Sequence, residues 1–134
     1  MRKIVPASLA VSLAMCLVAP RLAAAKDCGA LNTQMDINIC EGEKFDAADA
    51  ALNAAYNKLA AKVTAGGKAK LQDAQRAWIK YRDLQCEFET LGTSGGSIHG
   101  MEVSICLTEL TRDQTKRLQR QIDCQEGDMS CGAQ

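Results

Sequence analysis

Cysteine is the feature that most constrains this chain. There are seven in 134 residues, and each bridge formed between two of them fixes two distant points of the backbone within a narrow geometry. Cys16 stands apart from the rest. It lies in an apolar run from Ile4 to Ala19, behind Arg2 and Lys3 and ahead of Pro20-Arg21 and Ala23-Ala24-Ala25. A positive start, an apolar stretch and a small-residue cleavage site make a secretory signal peptide. The run is too short to span a bilayer, which takes roughly 20 apolar residues. Cleavage is expected after Ala25, leaving a mature chain from about Lys26 in the periplasm or outside the cell. The bulky Met15 before Cys16, and the apolar run continuing beyond it, argue against a lipid anchor there.

Six cysteines then remain, Cys28, Cys40, Cys86, Cys106, Cys124 and Cys131. An even number in a short exported chain reads as three disulfides. Zinc would call for closely paired cysteines and histidines, whereas no two cysteines here are that close and His99 is the single histidine. No metal and no other cofactor is expected.

Loss of Arg2, Lys3 and Arg21 with the leader leaves 13 basic against 16 acidic residues, a net charge of about −3. That balance argues against nucleic-acid binding, which depends on neutralising phosphates. The mature chain has no proline and few aromatic residues, so the expected fold is all-α: a small antiparallel three-helix bundle stapled by disulfides. The expected layout is a signal peptide over 1–25, one helical domain over 26–122 and a polar tail over 123–134.

The first helix is expected to start at Thr33, where Thr33-Gln34-Met35-Asp36 resembles a capping box. Its apolar positions are Met35, Ile39, Phe45, Ala48, Leu52, Ala55, Tyr56, Leu59 and Val63, at steps that place most of them on one face. Gly42 offers a break near Cys40, and Gly66-Gly67 an end. The second helix is expected over about 68–91, with Leu71, Ala74, Trp78, Tyr81, Leu84, Phe88 and Leu91 as its core stripe. The third spans roughly 101–122, with Met101, Ile105, Leu110, Leu118 and Ile122 inward. Between these two, 92–100 holds four glycines and two serines and reads as a flexible, solvated loop. It lacks the Lys-Ser/Thr ending of a phosphate-binding loop.

Six cysteines allow 15 connectivities, and geometry narrows them. Cys86 and Cys106 lie about ten residues on either side of Gly96, so a helical hairpin brings them to one height. Cys28 precedes the first helix and Cys40 sits about two turns into it, within reach of a chain folding back. Cys124 is left with Cys131, closing the tail.

No catalytic constellation emerges. Each mature cysteine has a partner, His99 lies in the loop, and the carboxylate pairs Glu87/Glu89 and Asp46/Asp49 sit among charged helical positions, not in an apolar pocket that would tune an acid–base pair. The chain is expected not to be an enzyme. Charge is blocked along it instead: six acidic and one basic residue from Asp27 to Asp49, seven basic and one acidic from Lys58 to Arg82, five acidic and none basic from Asp83 to Glu109. Such blocks let neighbouring helices attract, or present an acidic face that steers a basic partner.

Asp49-x-x-Leu52-Asn53-x-x-Tyr56-x-x-Leu59, Leu71-x-x-Ala74-Gln75-Arg76-Ala77-Trp78-Ile79-x-Tyr81-Arg82-Asp83-x-x-Cys86, the Gly95-Gly96-Ser97 turn, Cys28, Cys40, Cys106 and Leu110-Thr111 form one pattern. It resembles the LprI-like N-terminal domain family of bacterial secreted or lipid-anchored domains, whose named member is associated with inhibition of lysozyme. The chain departs from that pattern in Gln114, where an Arg is usual, and in the added Cys124–Cys131 tail. Within the pattern, Trp78 and Tyr81 are expected to point inward. Arg82 and Asp83 are expected to pair with neighbouring helices, and Asn53 and Gln75 to bridge the first helix to the second. The resemblance implies a binding protein that inhibits a lysozyme-type muramidase, with Ser94, Ser97 and His99 of the 92–100 loop as the partner-binding element and a lysozyme or other basic protein as partner. The alternative is a non-enzymatic interaction module of the cell envelope with a different partner.

Overall fold

The computed structural model describes residues 27–125 and 127–132. The leader, with Cys16, lies outside the described residues, as does part of the tail. The described chain is all-helical: a 3-10 turn at Cys28–Ala30, α1 (Gln34–Ala60), α2 (Ala65–Glu89), a second 3-10 turn at Leu91–Thr93 and α3 (His99–Ile122).

Side chains fix where each helix begins. Thr33 Oγ1 accepts from the Asp36 backbone N–H at 3.1 Å and donates to the Asp36 carboxylate at 2.6 Å, satisfying a donor that the first turn leaves open. Thr64 Oγ1 accepts from Gly67 N at 3.3 Å and starts α2. Gly66 and Gly67 therefore lie in the first turn of α2, not beyond the end of α1, which closes at Ala60. A threonine cap recruits them into the helix, where the first N–H groups lack helical partners in any case. Gly42 does not break α1, which is continuous across it.

The helices run up, down and up. Gln34 and Asn38 of α1 reach Met101 and Ser97 at the start of α3, and Lys62 Nζ donates to the Ile122 carbonyl at the far end, so α1 and α3 are parallel. Contacts of Gln75 with Gln114 and Arg82 with Thr111 set α2 antiparallel to both. α3 packs more extensively along α1 than along α2. Their seam holds the core: Leu52, Ala55 and Leu59 against Leu118 and Ile122, with Tyr56, Val63, Leu71 and Trp78 at its margin. Burial of each large aliphatic residue contributes on the order of 1.5–3 kcal/mol. Three bridges join Cys28 to Cys40, Cys86 to Cys106 and Cys124 to Cys131, with Cα–Cα distances of 5.7, 5.7 and 5.8 Å.

The side of α2 that faces the bundle is largely polar. Gln75, Arg82 and Cys86 are its buried residues. Arg82 is the hub: Nη1 donates to Asp49 of α1 at 3.4 Å and to the fully buried Thr111 of α3 at 3.3 Å, and Nε donates to Asp83 at 2.9 Å. Its guanidinium also lies 5.3 Å from the ring centroids of both Phe45 and Trp78, within cation–π range. A buried cation is tolerable only when paired and hydrogen-bonded, and here each helix supplies a partner.

Several sequence expectations change. Tyr81 is exposed, not inward, and so are Leu84, Phe88 and Leu91, as well as Met35 and Ile39 of α1. Asn53 bonds to Asp49 of its own helix and does not bridge to α2, while Gln75 reaches Gln114 of α3. Asp83 pairs with the adjacent Arg82 and not with another helix. Cys86 accounts for the turned face: bridged to α3, it sets the inward direction of α2. At about 3.6 residues per turn, positions 84 and 88 then fall on the opposite side.

Candidate functional site

The turned stripe is the surface feature most in need of a partner. Tyr81, Leu84, Phe88 and Leu91 are 54%, 54%, 74% and 67% exposed. Their spacing of three, four and three residues aligns them along the outer side of α2 and into the turn that follows it. Single exposed apolar residues are ordinary, whereas an aligned row of four large ones is a candidate docking surface. Burying the row inside the bundle would require Arg82 and Gln75 to turn outward, breaking the polar hub.

The ridge has an acidic flank. Asp83, Glu87 and Glu89 share this half of α2 and are exposed, and no Lys or Arg occurs from residue 83 to 109. Beside it, α2 and α3 leave an open cavity of about 380 Å³ whose lining includes Glu87, Leu91, Ser94, His99 and Val103. Leu91 thus belongs to both the ridge and the cavity rim.

The 92–100 segment is tied down, in contrast to the expected flexible loop. Thr93 Oγ1 donates to the Thr90 carbonyl at 2.8 Å and lies 3.0 Å from His99 Nδ1. Gly96 N donates to Thr93 O, and His99 N to Gly96 O. Gly95 turns the chain at φ 78°, a conformation open to glycine without a side-chain penalty. His99 is the first residue of α3 and half-buried. Ser94 and His99 come together at the cavity. Ser97 does not join them there, and its carbonyl accepts from Asn38 Nδ2 at 3.0 Å. The pattern residues Leu52, Tyr56, Gln75, Trp78 and Arg82 lie in or against the bundle interior, Asn53 is exposed on α1, and Tyr81 alone of that set stands on the ridge.

At the other end, Cys124, Asp128 and Cys131 cluster, but their two sulfurs are bonded to each other and supply no thiolate for a metal. The Ser130 backbone N–H and then its hydroxyl hold the Asp128 carboxyl below its ordinary value. Among the described residues no helix is long and apolar enough to cross a membrane.

The described residues thus form a helical bundle stapled by bridges, with an aliphatic seam between α1 and α3, a polar hub around Arg82 and an outward apolar ridge on α2. The chain belongs to the lysozyme inhibitor LprI family, which its residues 24–118 match. It is 40% identical over 135 residues to an uncharacterized protein of Rhizobium meliloti (strain 1021), a similarity covering 90% of this chain and 97% of that protein. No solved structure matches it.

Proposed function

We propose that this protein is exported, has no catalytic activity of its own, and inhibits a lysozyme-type muramidase by docking the ridge of α2 on it. Membership of the lysozyme inhibitor LprI family supplies the class of target. The observation that carries the mode of binding is the exposed row Tyr81, Leu84, Phe88 and Leu91. Large apolar and aromatic side chains form the anchors of protein interfaces, and charged residues their rim. The carboxylates of Asp83, Glu87 and Glu89 supply a negative rim suited to a basic enzyme, whose approach they would accelerate. Ser94 and His99, beside Leu91, serve as polar contacts at the ridge end, and Ser97 in the adjoining turn as another.

Lysis of cell-wall suspensions by a muramidase, with and without the purified protein, tests this. We expect inhibition at micromolar protein that weakens with salt, since exposed charges are screened beyond about 8–10 Å at physiological ionic strength. The double substitution Leu84→Asp/Phe88→Asp should remove at least tenfold of the inhibitory potency while helicity is retained. Undiminished lysis at micromolar excess over several lysozyme types defeats the proposal. Co-purification of a stable envelope partner through the same ridge would then favour the interaction-module alternative.

A further inference from the structure

We propose that the opposite end of the bundle is a second binding site, for an aliphatic chain ending in an anion. An open cavity of about 560 Å³ lies where the end of α1, the start of α2 and the end of α3 meet. Sites for small organic ligands run from roughly 300 to 1,000 Å³. Its floor is apolar, formed by Leu59, Val63, Leu71 and Leu118. Two of these are buried members of the core and two pack against it, so an occupant would extend the core and displace water from apolar surface.

Among the described residues the charge lining the cavity has one sign: Lys70 of α2 and Arg117 of α3 line it, and no acidic residue does. Neither cation makes a direct ion pair among the described residues; Lys116 takes the contact with Asp113, whose carboxyl Arg117 also stabilises from a distance. Gly66 and Gly67, also in the lining, belong to the first turn of α2, which contains no acidic residue. That helix end adds partial positive charge on the same side. An apolar floor beneath the cations Lys70 and Arg117 complements a hydrocarbon tail with a negative head.

The tail forms part of the wall. Gln121 Nε2 donates to the Ser130 carbonyl at 3.4 Å, and its Oε1 accepts from Gly132 N at 2.8 Å, placing Gly132 at the cavity. The Cys124–Cys131 bridge closes the loop that makes these contacts. All of it lies beyond residue 118, where the family match ends. This gives the third bridge a task, since it joins no two helices: it shapes a wall.

Titration calorimetry of the purified, fully bridged protein tests the site, with dodecanoate below its micellar concentration as probe. Fluorescence of Trp78, the single tryptophan, which packs against the same core cluster, gives a second readout. Dodecyl phosphate (same tail, different anion) and dodecyltrimethylammonium (same tail, opposite charge) complete the set. One-to-one saturation by either anion is expected, with the cation at least tenfold weaker. The ratio of the two anions tells a fatty carboxylate from a phosphate-headed lipid. Lys70→Gln/Arg117→Gln should weaken anion binding at least tenfold and erase most of the preference for anion over cation. Ala74→Phe, at an exposed position in the lining, should block both, and Cys124→Ser/Cys131→Ser should weaken both. Absence of saturation by both anions, equal affinity for the cation, or full binding by Ala74→Phe overturns the proposal. All these variants should still inhibit a muramidase, so failure here leaves the ridge reading standing.

Discussion

The seam between α1 and α3 and the outer side of α2 both carry apolar residues at helical spacing, yet the first is the core and the second faces solvent. Leu52, Ala55, Leu59, Leu118 and Ile122 are buried together, while Tyr81, Leu84, Phe88 and Leu91 stand more than half exposed. The difference does not lie in hydrophobicity. It lies in what else shares each helix: α2 must aim Cys86 at Cys106 and Arg82 at Asp49 and Thr111. One rigid helix cannot point both those groups and the opposite stripe inward. Period therefore identifies a face that needs cover, and the covalent and polar ties decide whether the cover is intramolecular.

Truncation sharpens the contrast. Leu52→Ala, at a fully buried site in the seam, should cost about 2–5 kcal/mol through lost burial and the cavity left behind, measured by urea unfolding. A cost near zero would dissolve the distinction between seam and ridge. Removing the bridge that orients the ridge, by Cys86→Ala/Cys106→Ala, should cost on the order of 2–4 kcal/mol, and hydrogen exchange should quicken mostly in the second half of α2. Gly95→Ala should cost roughly 1 kcal/mol by thermal unfolding: its φ of 78° disfavours a side chain, although an added Cβ would meet nothing within 4 Å. Smallest is the change on the ridge itself. Phe88→Ala should shift stability by no more than about 0.5 kcal/mol yet reduce muramidase inhibition. A large stability loss there would mean that the ridge packs within the molecule.

Much of the fold was legible. Three helices, the Thr33 start and the end of α3 at Ile122 follow from spacing and capping chemistry. Paired glycines read as a stop and put the start of α2 near Lys68, whereas the Thr64 hydroxyl turns them into a first turn that begins at Ala65. Periodicity alone assigns the ridge to the core. A signal was nevertheless present, since Gln75, Arg82 and Cys86 recur on one side of α2 and a bridged cysteine has to face its partner. Thr111 could not be foreseen, because its value as an acceptor for Arg82 depends on which helix lies across from it. In the sequence Ser94, Ser97 and His99 share one glycine-rich loop. The turn's own hydrogen bonds bring two of them to the cavity and set Ser97 against α1.

By itself the sequence determined the helical class, the segment lengths and the apolar period, because these are local: they depend on propensities, caps and spacing along one chain. Only the tertiary structure decided which apolar face meets another, and which polar groups take the interior in its place. Those choices turn on one cation finding partners on two other helices and on one bridge fixing the rotation of α2, and both are long-range terms that no local window contains.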